Sequence, residues 1–114
     1  TATADTRARV QLTLAQTYNV IVVLKGANTC IALPDGHTFI NTTGNPGMAK
    51  GGSGDTLTGI ILALLAQGYT AKNAACIGVY VHGLAGDIAA QKLGQIAMLP
   101  SDLIECLGQA FSLK

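Results

Sequence analysis

The residues best suited to chemistry in this sequence are Gly51-Gly52-Ser53-Gly54-Asp55, where a glycine-rich stretch runs into an aspartate at the start of an apolar helical pattern. A helix N-terminus presents unpaired backbone N–H groups and roughly half a positive charge. Glycines at 51, 52 and 54 let the backbone bend so that several N–H groups converge with no side chain in the way. Such a loop suits an anion, phosphate above all. It is not a Walker A loop, because the GK[ST] ending is absent. Asp55 adds a second feature. A pure phosphate binder gains little from a carboxylate that repels its ligand, whereas phosphoryl transfer needs a base near the attacking hydroxyl. The plainer reading is that Asp55 caps the helix, aspartate being a preferred N-cap. Spacing alone does not separate the two, and both roles can coexist.

Other polar residues carry weaker signals. Lys25 follows the run Val20-Ile21-Val22-Val23-Leu24, at the C-terminal edge of a strand, where α/β sheets bind ligands. Taken alone it reads more simply as a solvated lysine at a strand end. His82 reads as a packed helix histidine rather than a catalyst. Asp87 lies mid-helix among apolar residues, so it must reach solvent or bind a neighbouring polar group, with a metal role as a third option. His37 reads as a surface residue. Cys30, Cys76 and Cys106 are widely spaced and form no CxxC pair. They are expected to be buried, reduced thiols of a cytosolic protein rather than metal ligands or a disulfide framework.

These residues need elements to position them. Asp5 to Thr17 has a helical pattern with Ala8, Leu12 and Ala15 at spacings of four and three, and Asp5 or Thr6 at its cap. The β-branched run 20–24 suits a strand covered on both faces, as in a parallel sheet. Residues 29–40 read as a hairpin turning at Pro34-Asp35-Gly36. Asn41 to Gly54 holds five glycines and one proline without periodicity, a loop long enough to expect function. From Asp55, Leu57, Ile60, Ile61, Leu64 and Leu65 form one apolar helical stripe, closed by Gln67-Gly68. A second helix spans about Thr70 to Leu93, with Ile77, Val81, Leu84 and Ile88 on one face. Its glycines at 78, 83 and 86 cost propensity that close packing would offset. A third starts at Pro100-Ser101-Asp102, with Leu103, Ile104, Leu107, Ala110 and Phe111 as its apolar face.

The whole is an α/β arrangement with few strands for so many apolar helices. At 114 residues there is room for one domain. Hydrophobic residues make up 49% and charged ones only 11%, so much of the surface is expected to lie against something else. A net charge of +1 without a basic run offers nothing to nucleic acid. The apolar stretch Ile60 to Ala66 is far short of a membrane span, and no signal-peptide pattern occurs at Thr1. The start at Thr1 without Met suggests a piece of a longer polypeptide.

A resemblance sharpens the reading. Gly51 to Leu57 resembles the GxGD anion-hole motif of the ribokinase-like superfamily. The longer segment Asn45-Pro46-Gly47-Met48-Ala49-Lys50-Gly51-Gly52-Ser53-Gly54-Asp55 is similar to the characteristic stretch of the ADP- or ATP-dependent NAD(P)H-hydrate dehydratases. Leu24-Lys25-Gly26-Ala27-Asn28-Thr29 resembles the nucleotide-contacting segment of that family. His82-Gly83-Leu84-Ala85-Gly86-Asp87 and Pro100 to Ile104 resemble its C-terminal helices. The resemblance implies the C-terminal part of a ribokinase-like three-layer α/β fold: few strands and a β-hairpin, a glycine-rich anion loop and three helices. It implies phosphorylation of the ring hydroxyl of hydrated NADH or NADPH by ADP or ATP, then elimination of phosphate, with Mg²⁺ as cofactor. Asp55 would contact the hydrate and act as base. The N–H groups of Gly52, Ser53 and Gly54 would hold the transferring phosphate. Lys25, Gly26, Ala27, Asn28 and Thr29, with Asn45, Pro46, Gly47, Met48, Ala49, Lys50, Gly51, Gly52, Ser53 and Gly54, would line the nucleotide site. Lys50 stands where a small residue such as threonine is expected, and could add a charge near the phosphates. No metal ligands are assigned. A full domain of this family is more than twice this length, so the expected partner is an N-terminal half carrying most of the parallel sheet, in a cytoplasmic homo-oligomer. The alternatives are a ribokinase-like kinase of a small hydroxylated metabolite, which would generally lack GNPGMA, and a non-catalytic nucleotide-binding module indifferent to Asp55→Asn.

Overall fold

The computed structural model describes residues 4–26 and 28–113; Ala27, one of the expected nucleotide contacts, lies outside them. The chain begins with α1 (Ala4–Tyr18). Asp5 and Thr6 both lie inside this helix rather than at its cap. Asn19 follows with φ 53°, and the Val20 N–H bonds back to the Ala15 carbonyl at 3.0 Å. A left-handed residue after the last turn is a standard helix stop, and asparagine tolerates it.

Strands β1 (Val22–Leu24), β2 (Cys30–Ala32) and β3 (Thr38–Ile40) form one sheet in the order β1-β2-β3. The expected hairpin is present: Ile31 pairs with Phe39, and the turn closes through Gly36 N–H to Leu33 O at 3.1 Å. Gly36 has φ +99°, which explains the glycine there. The expectation of a parallel pairing for β1 is corrected. β1 pairs antiparallel with β2, Val23 opposite Ile31. Only residues 25–29 join them, too few for the crossover of a dozen or more that a parallel pair needs. β1 is also half-buried rather than covered on both faces.

Three layers result. Helix α1 packs on β1 and β2. On the other face, Ile31 and Leu33 join Leu57, Ala75 and Val79 in a shared core with α2 (Ser53–Ala66) and α3 (Ala71–Leu93). A second core gathers Val81, Ala85 and Ile88 of α3 with Met98, Leu103, Cys106 and Ala110. The glycines of α3 permit this closeness. A Cβ at Gly78 would stand 2.7 Å from Ile61 Cγ1, and one at Gly83 2.7 Å from the Thr43 carbonyl carbon. Thr70 caps α3, accepting from the Asn73 N–H at 3.2 Å.

Two further expectations change. The third helix is two, α4 (Pro100–Glu105) and α5 (Leu107–Leu113), because the chain tightens at Cys106, whose N–H reaches Leu103 O at 3.0 Å. That break leaves Ile104, assigned to the apolar face, 52% exposed. Cys106 is buried as expected, but Cys30 and Cys76 are only half-buried; all three are free thiols. Burial, opposed by nearby Lys72, pushes the Cys76 thiol up. Among the described residues no helix is long and apolar enough to cross a membrane.

Candidate active site

The site grows from the start of α2. The helix begins at Ser53, two residues before the expected Asp55, and its N-cap is Gly52 with φ 93° and no side-chain cap. Asp55 is therefore not the N-cap. It lies in the first turn, exposed, with no hydrogen bond or ion pair among the described residues. The backbone N–H groups of Gly52, Gly54 and Asp55 have no acceptor among the described residues, whereas the Ser53 N–H donates to Lys50 O at 3.2 Å. Of the three N–H groups expected to hold phosphate, two are thus free, and Asp55 adds one that the sequence reading missed.

Lys25, just past β1, brings its ammonium to this helix end. A Cβ at Gly54 would lie 3.1 Å from Lys25 Nζ. A lysine beside the positive end of a helix is unfavourable unless an anion sits between them. No carboxylate pairs with Lys25 among the described residues. Two sources of positive potential therefore converge on one spot, the geometry of an anion site.

Beside it opens a cavity of about 510 Å³. Its walls include Lys25, Gly26 and Thr29 after β1, Asn45, Pro46, Met48 and Ala49 of the loop, and Ser53 of α2. The structure thus brings together two segments, 25–29 and 45–53, that stand twenty residues apart in sequence. Asn41, Thr43, Leu57, Val79, His82 and Gly83 also line the cavity and were not foreseen. The one available hint was the set of α3 glycines, which signals close approach to α3 without naming the visitor. Asn28, Gly47, Lys50, Gly51, Gly52, Gly54 and Asp55 do not line the cavity itself. Gly47 is buried, where a Cβ would strike the Gln95 backbone at 2.6 Å.

The loop is held from α3. Asp87, unexplained in the sequence, accepts from the Gly44 N–H at 3.0 Å and from Asn45 Nδ2 at 2.9 Å. Asn45 in turn accepts from the Gly47 N–H at 3.0 Å, opening a 3₁₀ turn over Pro46–Met48. Thr43 Oγ1 donates to Tyr80 O at 2.8 Å. Lys50 turns away from the cavity: its ammonium donates to the carbonyls of Gln95, at 3.0 Å, of Ile96, at 2.8 Å, and of Met98. It ties the loop to the α3–α4 connection instead of adding charge at the cavity.

His82 is 6% exposed, with Nε2 3.0 Å from Ser53 O and 3.4 Å from Ser53 Oγ. Burial holds its pKa below the ordinary histidine value; the Ser53 carbonyl works against this, and the nearby Lys25 charge adds to it. His37 is exposed as expected. Its backbone N–H, and then its ring, lower the Asp35 pKa. Among the described residues no group of three or more His, Cys, Asp or Glu is placed to hold a metal ion.

Known proteins resemble this chain in sequence and fold. A family model described as NAD(P)H-hydrate dehydratase matches residues 1–109. The bifunctional NAD(P)H-hydrate repair enzyme Nnr of Moorella thermoacetica is 50% identical over 103 residues, 90% of this chain and 19% of that protein. The ADP-dependent (S)-NAD(P)H-hydrate dehydratase of Bacillus subtilis is 39% identical over 101 residues, 89% of this chain and 37% of that one. A Bacillus subtilis ADP/ATP-dependent NAD(P)H-hydrate dehydratase co-crystallized with ATP/Mg²⁺ superposes with a TM-score of 0.89 at 36% identity, over 96% of this chain and 39% of that one. A ribokinase-like superfamily protein of Enterococcus faecalis gives 0.77 at 37% identity, over 97% of this chain and 37% of that one. The chain thus spans about a fifth to two fifths of the length of the relatives it matches.

Proposed function

This chain belongs to the NAD(P)H-hydrate dehydratase family, and we propose that it is the anion-binding, C-terminal half of a ribokinase-like domain that repairs hydrated NADH or NADPH using ADP or ATP. The observation that carries the reading is the convergence of the Lys25 ammonium with the free N–H groups of Gly52, Gly54 and Asp55. Positive potential fixed in advance, beside a cavity, favours a transferring phosphoryl group over its ground state.

In this reading the nucleotide lies along residues 25–29 and 45–54, with its terminal phosphate at the start of α2. Asp55 takes the proton of the ring hydroxyl as that oxygen attacks the terminal phosphorus, and the bond from phosphorus to the bridging oxygen breaks. The bond from the ring carbon to the ester oxygen then breaks, phosphate leaving with the electron pair. The neighbouring ring carbon gives up a proton to water, and the double bond of the reduced nicotinamide returns. Asp55 suits the role because it forms no ion pair among the described residues. Mg²⁺ would neutralise phosphate charge; with no cluster of three protein ligands among the described residues, nucleotide oxygens and water would hold it, as is usual for this ion. Lys50, on its three carbonyls, would support the site from behind. The rest of the hydrate-binding surface would come from an N-terminal half of the domain. Homo-oligomeric assembly and a cytoplasmic setting belong to the same reading.

The test follows the return of NADH absorbance from its hydrate with ADP or ATP and Mg²⁺, in the full-length protein and its Asp55→Asn form. Nucleotide-dependent recovery that the substitution lowers by about 10²–10⁴-fold supports the reaction and the base. No recovery in a folded protein that still binds nucleotide favours a kinase of a small hydroxylated metabolite. The 114-residue chain alone is expected to fall short of ordinary turnover of about 1–10³ per second.

A further inference from the structure

His82 belongs to neither segment that carries the nucleotide reading, yet it is the buried titratable side chain nearest the anion loop. A backbone carbonyl can only accept, so its 3.0 Å contact with Ser53 O requires the proton on Nε2. The same nitrogen lies 3.4 Å from Ser53 Oγ. Ser53 is itself buried, 3% exposed, and is the first residue of α2. Its carbonyl therefore sits at the hinge between the glycine loop and the helix, directly before the free N–H groups of Gly54 and Asp55. The other ring nitrogen, Nδ1, has no hydrogen bond among the described residues. Gln11 Oε1 is the one buried side-chain polar atom without a partner among the described residues, so Nδ1 is open to the cavity that His82 lines.

Among the described residues, the other side-chain tethers that reach the loop from α3 and the α3–α4 connection act earlier in the chain. Asp87 holds Gly44 and Asn45, and Lys50 holds the loop against residues 95–98. Gly52 supplies no side-chain cap. Among the described residues the His82 ring is thus the side chain from outside α2 that holds the first residue of that helix, while Thr56 Oγ1 bonds back to Gly52 O at 3.0 Å from within it.

We propose that His82 is a positioning residue: in its Nε2–H form it anchors the Ser53 carbonyl and so aims the N–H groups of Gly54 and Asp55 at the bound phosphate, while Nδ1 gives the cavity a hydrogen-bond acceptor. This rests on the nucleotide-site reading for its consequence, and on the described contacts for the anchor itself. Glutamine can carry an amide donor to the place of Nε2; asparagine reaches only the place of Nδ1, and leucine offers neither.

The experiment compares His82→Gln, His82→Asn and His82→Leu in the full-length protein by amide hydrogen exchange at Ser53 and Thr56, whose N–H groups are bonded in the parent, without ligand, and by ADP affinity. In the leucine and asparagine forms these amides should exchange about tenfold faster and the ADP Kd rise about tenfold, with the glutamine form within about threefold of the parent. A residue that merely fills space would make leucine the mildest change and asparagine and glutamine alike, and that pattern overturns the proposal. Should leucine prevent folding, the contrast of glutamine with asparagine decides it in the same sense. Exchange needs no ligand, so a parent that fails to bind ADP refutes the nucleotide reading while the anchor is still judged on its own.

Discussion

Asp55 and His82 show how two polar residues at one helix start divide the work. A carboxylate in the first turn of α2 is favoured by the helix dipole with or without a ligand. Asp55→Asn should therefore cost no more than about 0.3–1 kcal/mol of stability while removing the proposed repair activity, a split that a capping role alone would not produce. His82 carries a pH signature. Its folded pKa lies below the ordinary value of about 6.5, chiefly through burial. In the window between the two values the unfolded chain binds the proton that the folded chain refuses, so stability rises with pH there. The contribution is present above about 6.5 and lost as pH falls through the window. Chemical denaturation should show stability dropping below about pH 6.5, and His82→Gln should flatten that drop. Lys25 makes a different prediction. Lys25→Ala should weaken ADP binding without lowering stability, because it removes a cation that the helix start disfavours until phosphate arrives; isothermal titration with a parallel thermal melt would check both.

The glycine-rich loop is shaped by what it docks against. Its residues have little structure of their own, so α3 and the α3–α4 connection supply the template. Asp87→Ala would leave the Gly44 N–H and Asn45 Nδ2 without their acceptor. That should cost about 1–3 kcal/mol in chemical denaturation and slow turnover as the loop loosens. Gly83→Ala should also destabilise, by about 1–3 kcal/mol, since its methyl would press on the backbone of Thr43. Much of this level was legible: the α2 stripe apart from Leu65, which is 42% exposed, the extent of α3 and the hairpin all followed from periodicity and turn chemistry. The start of α2 was not. Glycines at 52 and 54 carry no side-chain signal for a helix start, and what sets the boundary is the left-handed Gly52 together with contacts from α3, distant in sequence.

At the scale of the molecule the chain is a slab of 41 × 38 × 21 Å. Its accessible surface, 6725 Å², exceeds by about 15% the roughly 5,800 Å² expected for a compact protein of this mass. Large apolar side chains stay uncovered, among them Leu62 at 65%, Ile104 at 52% and Val20 at 45%. A charge fraction of 11% anticipated such a surface. Supplying the N-terminal half proposed above should cover part of it. Its addition to the chain should raise the melting temperature and slow amide exchange in β1, whose one described neighbour is β2.

By itself the sequence determined the glycine-rich loop, most of the helices that frame it, and the family, because those depend on local backbone freedom, on 3.6-residue periodicity, and on a motif contiguous in the chain. Tertiary structure alone decided which donors are free, where Lys50 points, why Asp87 is inside, and that His82 meets Ser53. The last three are contacts between groups some thirty to fifty residues apart, set by the packing of α3 and the α3–α4 connection against the loop and α2. No local pattern encodes such a distance; close packing of glycines 78, 83 and 86 creates it.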